Sequence, residues 1–253
     1  MRKGLAVKEH THDTKPLAVF DIDGTLFRSA VMIEIVDRMI AVKMIPESAY
    51  ADLVAAKNAW KDRQGSFEEY NEQLVRVIER HFTGINEREF NHFAEAVIGE
   101  LKNRQYRFTH ELLERLQQKG YVLMAVSGML QGALKKYNRF LKFDYVFGWE
   151  QEVKGGKFTG KPAGLHPMDG KEKVVKYFLA EHAEVTLDGS VGIGDTEGDI
   201  GFLEMIENPI AFNPNQRLLT KAKEAGWRVV LERKDVVYDL SEPRIIGSPD
   251  DVL

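Results

Sequence analysis

Residues Pro16–Ser29 read PLAVFDIDGTLFRS, and this stretch decides the fold. Leu17, Ala18, Val19 and Phe20 form an apolar run with no polar break. That is the pattern of a strand covered on both faces of a parallel sheet. The run ends abruptly in Asp21-Ile22-Asp23-Gly24-Thr25. In open α/β sheets such a strand tip is where ligands bind. Two carboxylates crowded at one tip make sense if a cation lies between them or one of them carries a proton. Gly24 permits a turn, and Thr25 brings a hydroxyl and a backbone N–H to the mouth of the crevice. An Asp- and Gly-rich turn also arises with no function at all, so the rest of the chain must decide.

The chain has 253 residues, 43% of them hydrophobic and 29% charged, enough to bury a sizeable core as one domain with an insertion. A net charge of −4 argues against nucleic-acid binding through a basic surface. The absence of cysteine excludes disulfides, thiolate catalysis and cysteine-ligated zinc. No apolar run is long enough to cross a membrane and no secretory segment opens the chain, which points to the cytoplasm.

Residues 1–15 are polar. His10 and His12 flank Thr11 there, a spacing able to hold a metal but more simply read as part of a solvated tail. From Val31 to about Leu101 apolar residues recur at helical spacing, broken at Pro46, Gly65-Ser66 and Thr83-Gly84. Residues 30–106 are therefore expected to form an inserted helical cap. The α/β core is expected over 1–29 and 107–253, with tails 1–15 and 241–253 loose, or the latter docked as a strap. Beyond the insertion, helix and strand alternate. A helix over Glu111–Lys119 leads to a strand over Tyr121–Val126 and a helix over Leu130–Phe140. A short strand follows at Tyr145–Phe147, then a hairpin within Glu150–Gly160 and a helix over Lys171–His182. A strand over Ser190–Gly194, a helix from about Asp199, a strand at Ile210–Phe212, a helix over Asn215–Ala225 and a strand at Arg228–Leu231 complete the pattern. Alternation of this kind predicts an α/β, Rossmann-like doubly wound parallel sheet.

Four strand tips or helix starts carry polar groups that fit together: Asp21/Asp23, Ser127-Gly128, Lys171, and Asp195 with Asp199 in GDTEGD. A strand-terminal Ser-Gly is ordinarily a turn, a lone lysine ordinarily solvates a helix, and the Asp195/Asp199 pair could simply favour a helix N-terminus. Their order and setting together are much harder to dismiss. The set resembles the four motifs of the haloacid dehalogenase superfamily, in the branch (subfamily IB) similar to phosphoserine phosphatase. The likeness covers most of residues 16–231.

That resemblance implies a phosphatase acting on a small soluble phosphomonoester. A phosphomonoester adds negative charge to a site already holding several carboxylates, so the cofactor expected is Mg²⁺, which prefers oxygen ligands. By resemblance Asp21, the Asp23 carbonyl and Asp195 ligate it, and Asp199 orients waters and pairs with Lys171. Asp21 is the implied nucleophile, Asp23 the acid and base, and Thr25, Ser127, Gly128 and Lys171 the groups that hold the phosphoryl oxygens. Asp23 is what makes the implied enzyme a phosphatase rather than a dehalogenase. Alternatives are a phosphotransferase using the same intermediate and a non-catalytic phosphate sensor; intact acid/base machinery argues against the sensor.

Phosphoserine phosphatases carry a glutamate nine residues after the nucleophile and an arginine in the cap. Here those positions hold Ala30 and Leu74. Both departures count against L-phosphoserine as the main substrate. Glu34, Trp60, Arg63, Phe67, Tyr70 and Arg76 are the candidate specificity residues of the cap, although aromatics at helical spacing are more often core.

Overall fold

The computed structural model describes residues 14–164, 170–234 and 236–240. The His10/His12 pair and the tail from Ser241 lie outside the described residues. Strand β1 (Lys15–Phe20) is central in an eight-stranded sheet. On one side lie β2 (Val122–Leu130), β3 (Tyr145–Lys154) and β4 (Lys157–Ala163). On the other lie β5 (Val185–Gly194), β6 (Asn208–Phe212), β7 (Arg228–Arg233) and β8 (Val236–Asp239), giving the order β4-β3-β2-β1-β5-β6-β7-β8. The pairings from β3 through β7 are parallel; β4 and β8 close the edges antiparallel.

Side chains alternate across a strand, and β1 uses both faces. Leu17 and Val19 pack with residues of α7 (Lys171–Glu181), α8 (Ile200–Leu203) and α9 (Gln216–Ala225). Ala18 and Phe20 pack on the opposite side with α5 (Arg107–Gln118) and α6 (Gln131–Leu141). All four are fully buried. Burying Leu17, Val19 and Phe20 contributes about 1.5–3 kcal/mol each, which fixes β1 as the rigid base of whatever stands at its tip.

Four helices lie between β1 and α5: α1 (Val31–Ala41), α2 (Ser48–Lys61), α3 (Phe67–His81) and α4 (Glu87–Leu101). A reciprocal cap starts α3, where Ser66 Oγ accepts from the Glu69 N–H at 3.1 Å and the Glu69 carboxylate accepts from the Ser66 N–H at 2.7 Å. Such a cap contributes about 1 kcal/mol. The two connections into this block pair with each other: Arg28 N–H donates to Arg104 C=O and Tyr106 N–H to Leu26 C=O, both at 2.9 Å. The block touches the sheet a third time, at the β3–β4 hairpin. Gly84 N–H donates to Phe158 C=O (2.8 Å), Phe158 N–H to Ile85 C=O (3.0 Å) and Glu87 N–H to Gly156 C=O (2.9 Å). Phe82, Phe90 and Phe158 pack there with ring centres 5.4–6.2 Å apart.

Several boundaries differ from the sequence reading. Strand β2 does not end before Ser127-Gly128 but runs through them to Leu130, and β5 starts at Val185, ahead of Ser190. The short strand at Tyr145–Phe147 and the first arm of the hairpin are one strand, β3, which pairs parallel with β2 and then antiparallel with β4. Strand β8 went unread because its four residues gain their order from pairing with β7. Helix α5 begins at Arg107, ahead of Glu111, because its first N–H groups are capped from afar. Glu232 accepts from Arg107 N–H at 3.1 Å and Phe108 N–H at 2.9 Å, so no local capping residue announces the start. No helix among the described residues is long and apolar enough to cross a membrane.

Candidate active site

The chain leaves β1 toward β2 and leaves β5 toward β6, so the tips of β1 and β5 flank a switch point of the sheet. Phe20 pairs with Ile193, and Asp21 N–H donates to Ile193 C=O at 3.0 Å. Asp21 and Asp195 therefore emerge side by side. Gly24 keeps them close. It has φ +85°, and a Cβ there would lie 2.0 Å from Asp195 Oδ2. A glycine is required both for the backbone turn and for the space.

Lys171, the first residue of α7, reaches under this tip. Its Nζ donates to Asp21 Oδ1 at 2.5 Å and to Asp199 Oδ1 at 2.6 Å. Burial works against its charge, but Asp199 and Asp21 outweigh burial and hold the ammonium above its usual range. Asp199 is wholly buried, and its Oδ2 accepts the N–H groups of Asp195 (2.9 Å) and Thr196 (3.0 Å). With both oxygens engaged, Asp199 serves as an organiser of the Asp195 loop and of Lys171.

Asp21 behaves differently. Its Oδ2 is buried with no hydrogen-bond partner among the described residues. Burial pushes its carboxyl up to about 6, against the pull of Lys171. Asp195 is also held well above the usual carboxylate range, first by burial and then by Asp21 and Asp199. Oxygens of Asp21, Asp195 and Asp199 all lie within 4.8 Å of one another. An orphaned buried carboxylate oxygen, a second raised carboxyl and an all-oxygen donor set fit a hard divalent cation.

Asp23 stands just beyond. Its Oδ1 accepts the N–H of Val31, the first residue of α1, at 2.7 Å. Burial pushes its carboxyl up to about 7, opposed by that hydrogen bond. A carboxyl poised there can hold or release a proton near neutral pH. Ser127 is buried beside it and accepts from Met129 N–H at 3.1 Å. Thr25 departs from expectation. Its hydroxyl donates to Asp195 Oδ1 at 3.2 Å, its N–H to Ile22 C=O at 3.3 Å, and it is fully buried. Both donors are occupied, so Thr25 positions Asp195 and does not face a phosphate. Thr109 of α5 holds Thr25 in turn, donating to its carbonyl at 2.8 Å.

A cleft of about 820 Å³, counting its open mouth, connects these groups to solvent. Its floor carries Asp21, Asp23, Gly128, Lys171 and Asp195, and its roof is built from α3 with Ala30 and Met32.

The family description "haloacid dehalogenase-like hydrolase" matches residues 18–204. The chain belongs to the haloacid dehalogenase-like hydrolases. Among its relatives are two archaeal proteins named phosphoserine phosphatase. One, from Methanocaldococcus jannaschii, is 26% identical over 88% of this chain and 94% of its own length. The other, from Archaeoglobus fulgidus, is 27% identical over 86% of this chain, which spans only 59% of that protein's length. Within its family the chain is thus phosphoserine phosphatase-like. Among solved structures, a phospho-aspartyl intermediate analogue of phosphoserine phosphatase shares the fold with TM-score 0.58 at 22% identity, over 88% of this chain and 95% of that one. A Bordetella pertussis protein of unknown function shares it with TM-score 0.68 at 21% identity, over 85% and 98%.

In this haloacid dehalogenase-like chain the roof differs from the residues singled out by type. Of the six candidates only Phe67 lines the cleft. Glu34 pairs with Arg104 at 3.6 Å and Arg76 with Glu72 at 3.6 Å, an intrahelical pair on the solvent side. Tyr70 is buried in the core, and Trp60 stacks on Tyr70 and packs tilted against Phe67 from outside. Arg63 is exposed just past the end of α2. The roof is instead one face of α3: Phe67, Glu68, Asn71, Leu74 and Val75. Glu68 and Asn71 escaped sequence reading. Their spacing with Phe67 and Leu74 along one helical face was the signal that could have found them.

Proposed function

We propose that the protein is a Mg²⁺-dependent phosphatase that hydrolyses a small phosphomonoester through an aspartyl-phosphate on Asp21, with helices α1–α4 as its cap. One observation carries this reading: Asp21 keeps a buried, unpartnered Oδ2 at the cleft floor while Asp23 beside it has a carboxyl raised to about 7. One oxygen is free to attack and the neighbouring acid is poised to donate.

Magnesium would be held by Asp21, the Asp23 backbone carbonyl and Asp195, and would supply positive charge to the phosphoryl oxygens. Lys171 fixes Asp21 Oδ1, leaving Oδ2 to attack phosphorus in line. The P–O bond to the leaving group breaks as Asp23 gives its proton to the departing alkoxide. Asp23 then takes a proton from water, the water oxygen attacks phosphorus, and Asp21 is released with inorganic phosphate. Ser127 and the Gly128 N–H steady the phosphoryl oxygens as charge moves. Ala30 and Leu74 line the cleft with apolar groups, so the carboxylate of L-phosphoserine meets no cation from α3.

The test is phosphate release from a panel of small phosphomonoesters, with Mg²⁺ or with EDTA, by wild type and Asp21→Asn. Turnover that requires the metal and disappears in Asp21→Asn is expected. Metal-independent turnover, or an active Asp21→Asn, would overturn the reading.

A further inference from the structure

The cleft has two ends of different chemistry. At its floor stand the carboxylates and Lys171. At its roof, α3 presents apolar Phe67, Leu74 and Val75, and among them two polar side chains, Glu68 and Asn71. Among the described residues no arginine lines the cleft, and the one lysine that does is already bound to Asp21 and Asp199.

Glu68 has no ion-pair or hydrogen-bond partner among the described residues. It is the second residue of α3, yet the work of starting that helix belongs to Ser66 and Glu69. It is half-buried against the roof. Burial raises its carboxyl, and Glu197 and Glu72 add to the effect. A carboxylate in such surroundings gains strongly from a cation. A substrate carboxylate at this roof would meet the like charge of Glu68, apolar surface and the neutral Asn71, with no cation from α3.

We infer that Glu68, with Asn71 one turn beyond it, selects a phosphomonoester whose leaving group carries a cationic amine and no carboxylate. The phosphoryl group sits at the floor, a short carbon chain crosses the apolar wall of Leu74 and Val75, and the ammonium meets the Glu68 carboxylate. Asn71 accepts or donates a further hydrogen bond. This rests on the phosphatase reading for the orientation of the substrate, and it concerns only the end remote from the bond that breaks.

Three probes separate the possibilities: 2-aminoethyl phosphate, its uncharged counterpart propyl phosphate, and L-phosphoserine, which adds a carboxylate. Wild type is expected to favour 2-aminoethyl phosphate over propyl phosphate by about ten-fold or more in kcat/KM, the scale of a charge-assisted contact. L-phosphoserine should fall below 2-aminoethyl phosphate. Glu68→Gln should bring the ratio of the first two close to one, and Glu68→Lys should invert it. Helix stabilisation alone would change both substrates together and leave the ratio intact. Titration calorimetry with Asp21→Asn reads the same preference without turnover. Equal binding of the two phosphates, or a ratio unmoved by Glu68→Gln, overturns the inference and leaves hydrolysis untouched. Tight, amine-selective binding without turnover in wild type supports it while overturning the phosphatase reading. No binding of either phosphate overturns both.

Discussion

Val31 donates its backbone N–H to Asp23 Oδ1 at 2.7 Å, so the first residue of the helical block aims the carboxyl that stands beside Asp21. That bond lowers the Asp23 carboxyl, which burial otherwise raises to about 7. The acid step needs Asp23 protonated, so kcat/KM for alkyl phosphates should fall as pH rises past about 7. Val31→Pro removes this donor where proline is tolerated, at the first position of a helix and after an extended residue. The alkaline limb should move to higher pH. A limb that stays in place in Val31→Pro, followed through full pH profiles, would separate Asp23 from the titration.

Metal-free protein should lose stability as pH rises. Asp21 and Asp23 have folded values of about 6 and 7 against an ordinary 3.8. The folded state therefore holds more protons than the unfolded chain between those limits, and stability falls with pH. The stabilising contribution is complete below about 3.8 and is lost through 6–7. Asp23→Asn keeps an acceptor for Val31 and removes the titration. At pH 8 it should exceed wild type by roughly 1–2 kcal/mol, discounted for the partial exposure of Asp23. Mg²⁺ at a hundred times its Kd should add about 2.7 kcal/mol to wild type and distinctly less to Asp195→Asn. Thermal unfolding in EDTA and in Mg²⁺ reads both effects.

Lys171→Met leaves Asp21 and Asp199 facing each other in the buried floor. Removing one partner of a buried ion pair costs about 3–5 kcal/mol, and activity should fall at least about a hundred-fold. Denaturant unfolding with parallel kinetics checks this. A Lys171→Met protein as stable as wild type would show that the three charges are not coupled.

Gly24 and Gly84 make a matched pair for testing the crowded turn. Both have positive φ, +85° and +86°, but a Cβ at Gly84 meets nothing within 4 Å. Gly84→Ala should cost only the backbone strain, about 1–2 kcal/mol. Gly24→Ala must in addition displace Asp195, so its loss of activity and of Mg²⁺ affinity should be far larger. Equal effects of the two substitutions on Mg²⁺ affinity would contradict the close approach.

What the sequence disclosed depended on whether a signal was local. The run Leu17–Phe20 and the paired carboxylates after it are adjacent in the chain, so strand, sheet class and strand tip could be read together. Lys171, Asp195 and Asp199 were recognisable by order and setting, and all three meet at the tip of β1. Thr25 was misplaced because its hydroxyl is claimed by Asp195, 170 positions away. The roof was misread for the same reason. Aromatic and cationic residues of α2 and α3 were judged by type, whereas the cleft sees only the α3 face that Trp60 and the core leave uncovered. Which face that is depends on tertiary packing. Strand β8 and the start of α5 were hidden likewise, since β7 and Glu232 supply what their own segments lack.

The contact between the α3–α4 turn and the β3–β4 hairpin restricts how the cleft can exchange its contents. If helices α1–α4 were joined to the sheet only by their two connecting segments, they could swing as one body about that narrow neck. The main-chain hydrogen bonds of Gly84, Phe158 and Glu87, with the aromatic cluster beneath them, pin the opposite corner. A whole-body swing would break all of these at once. Opening of the cleft is then confined to movement away from that corner, within the block, where the first turn of α3 carries Phe67 and Glu68 over the cleft. Entry of a molecule and inspection of its far end would be a single event.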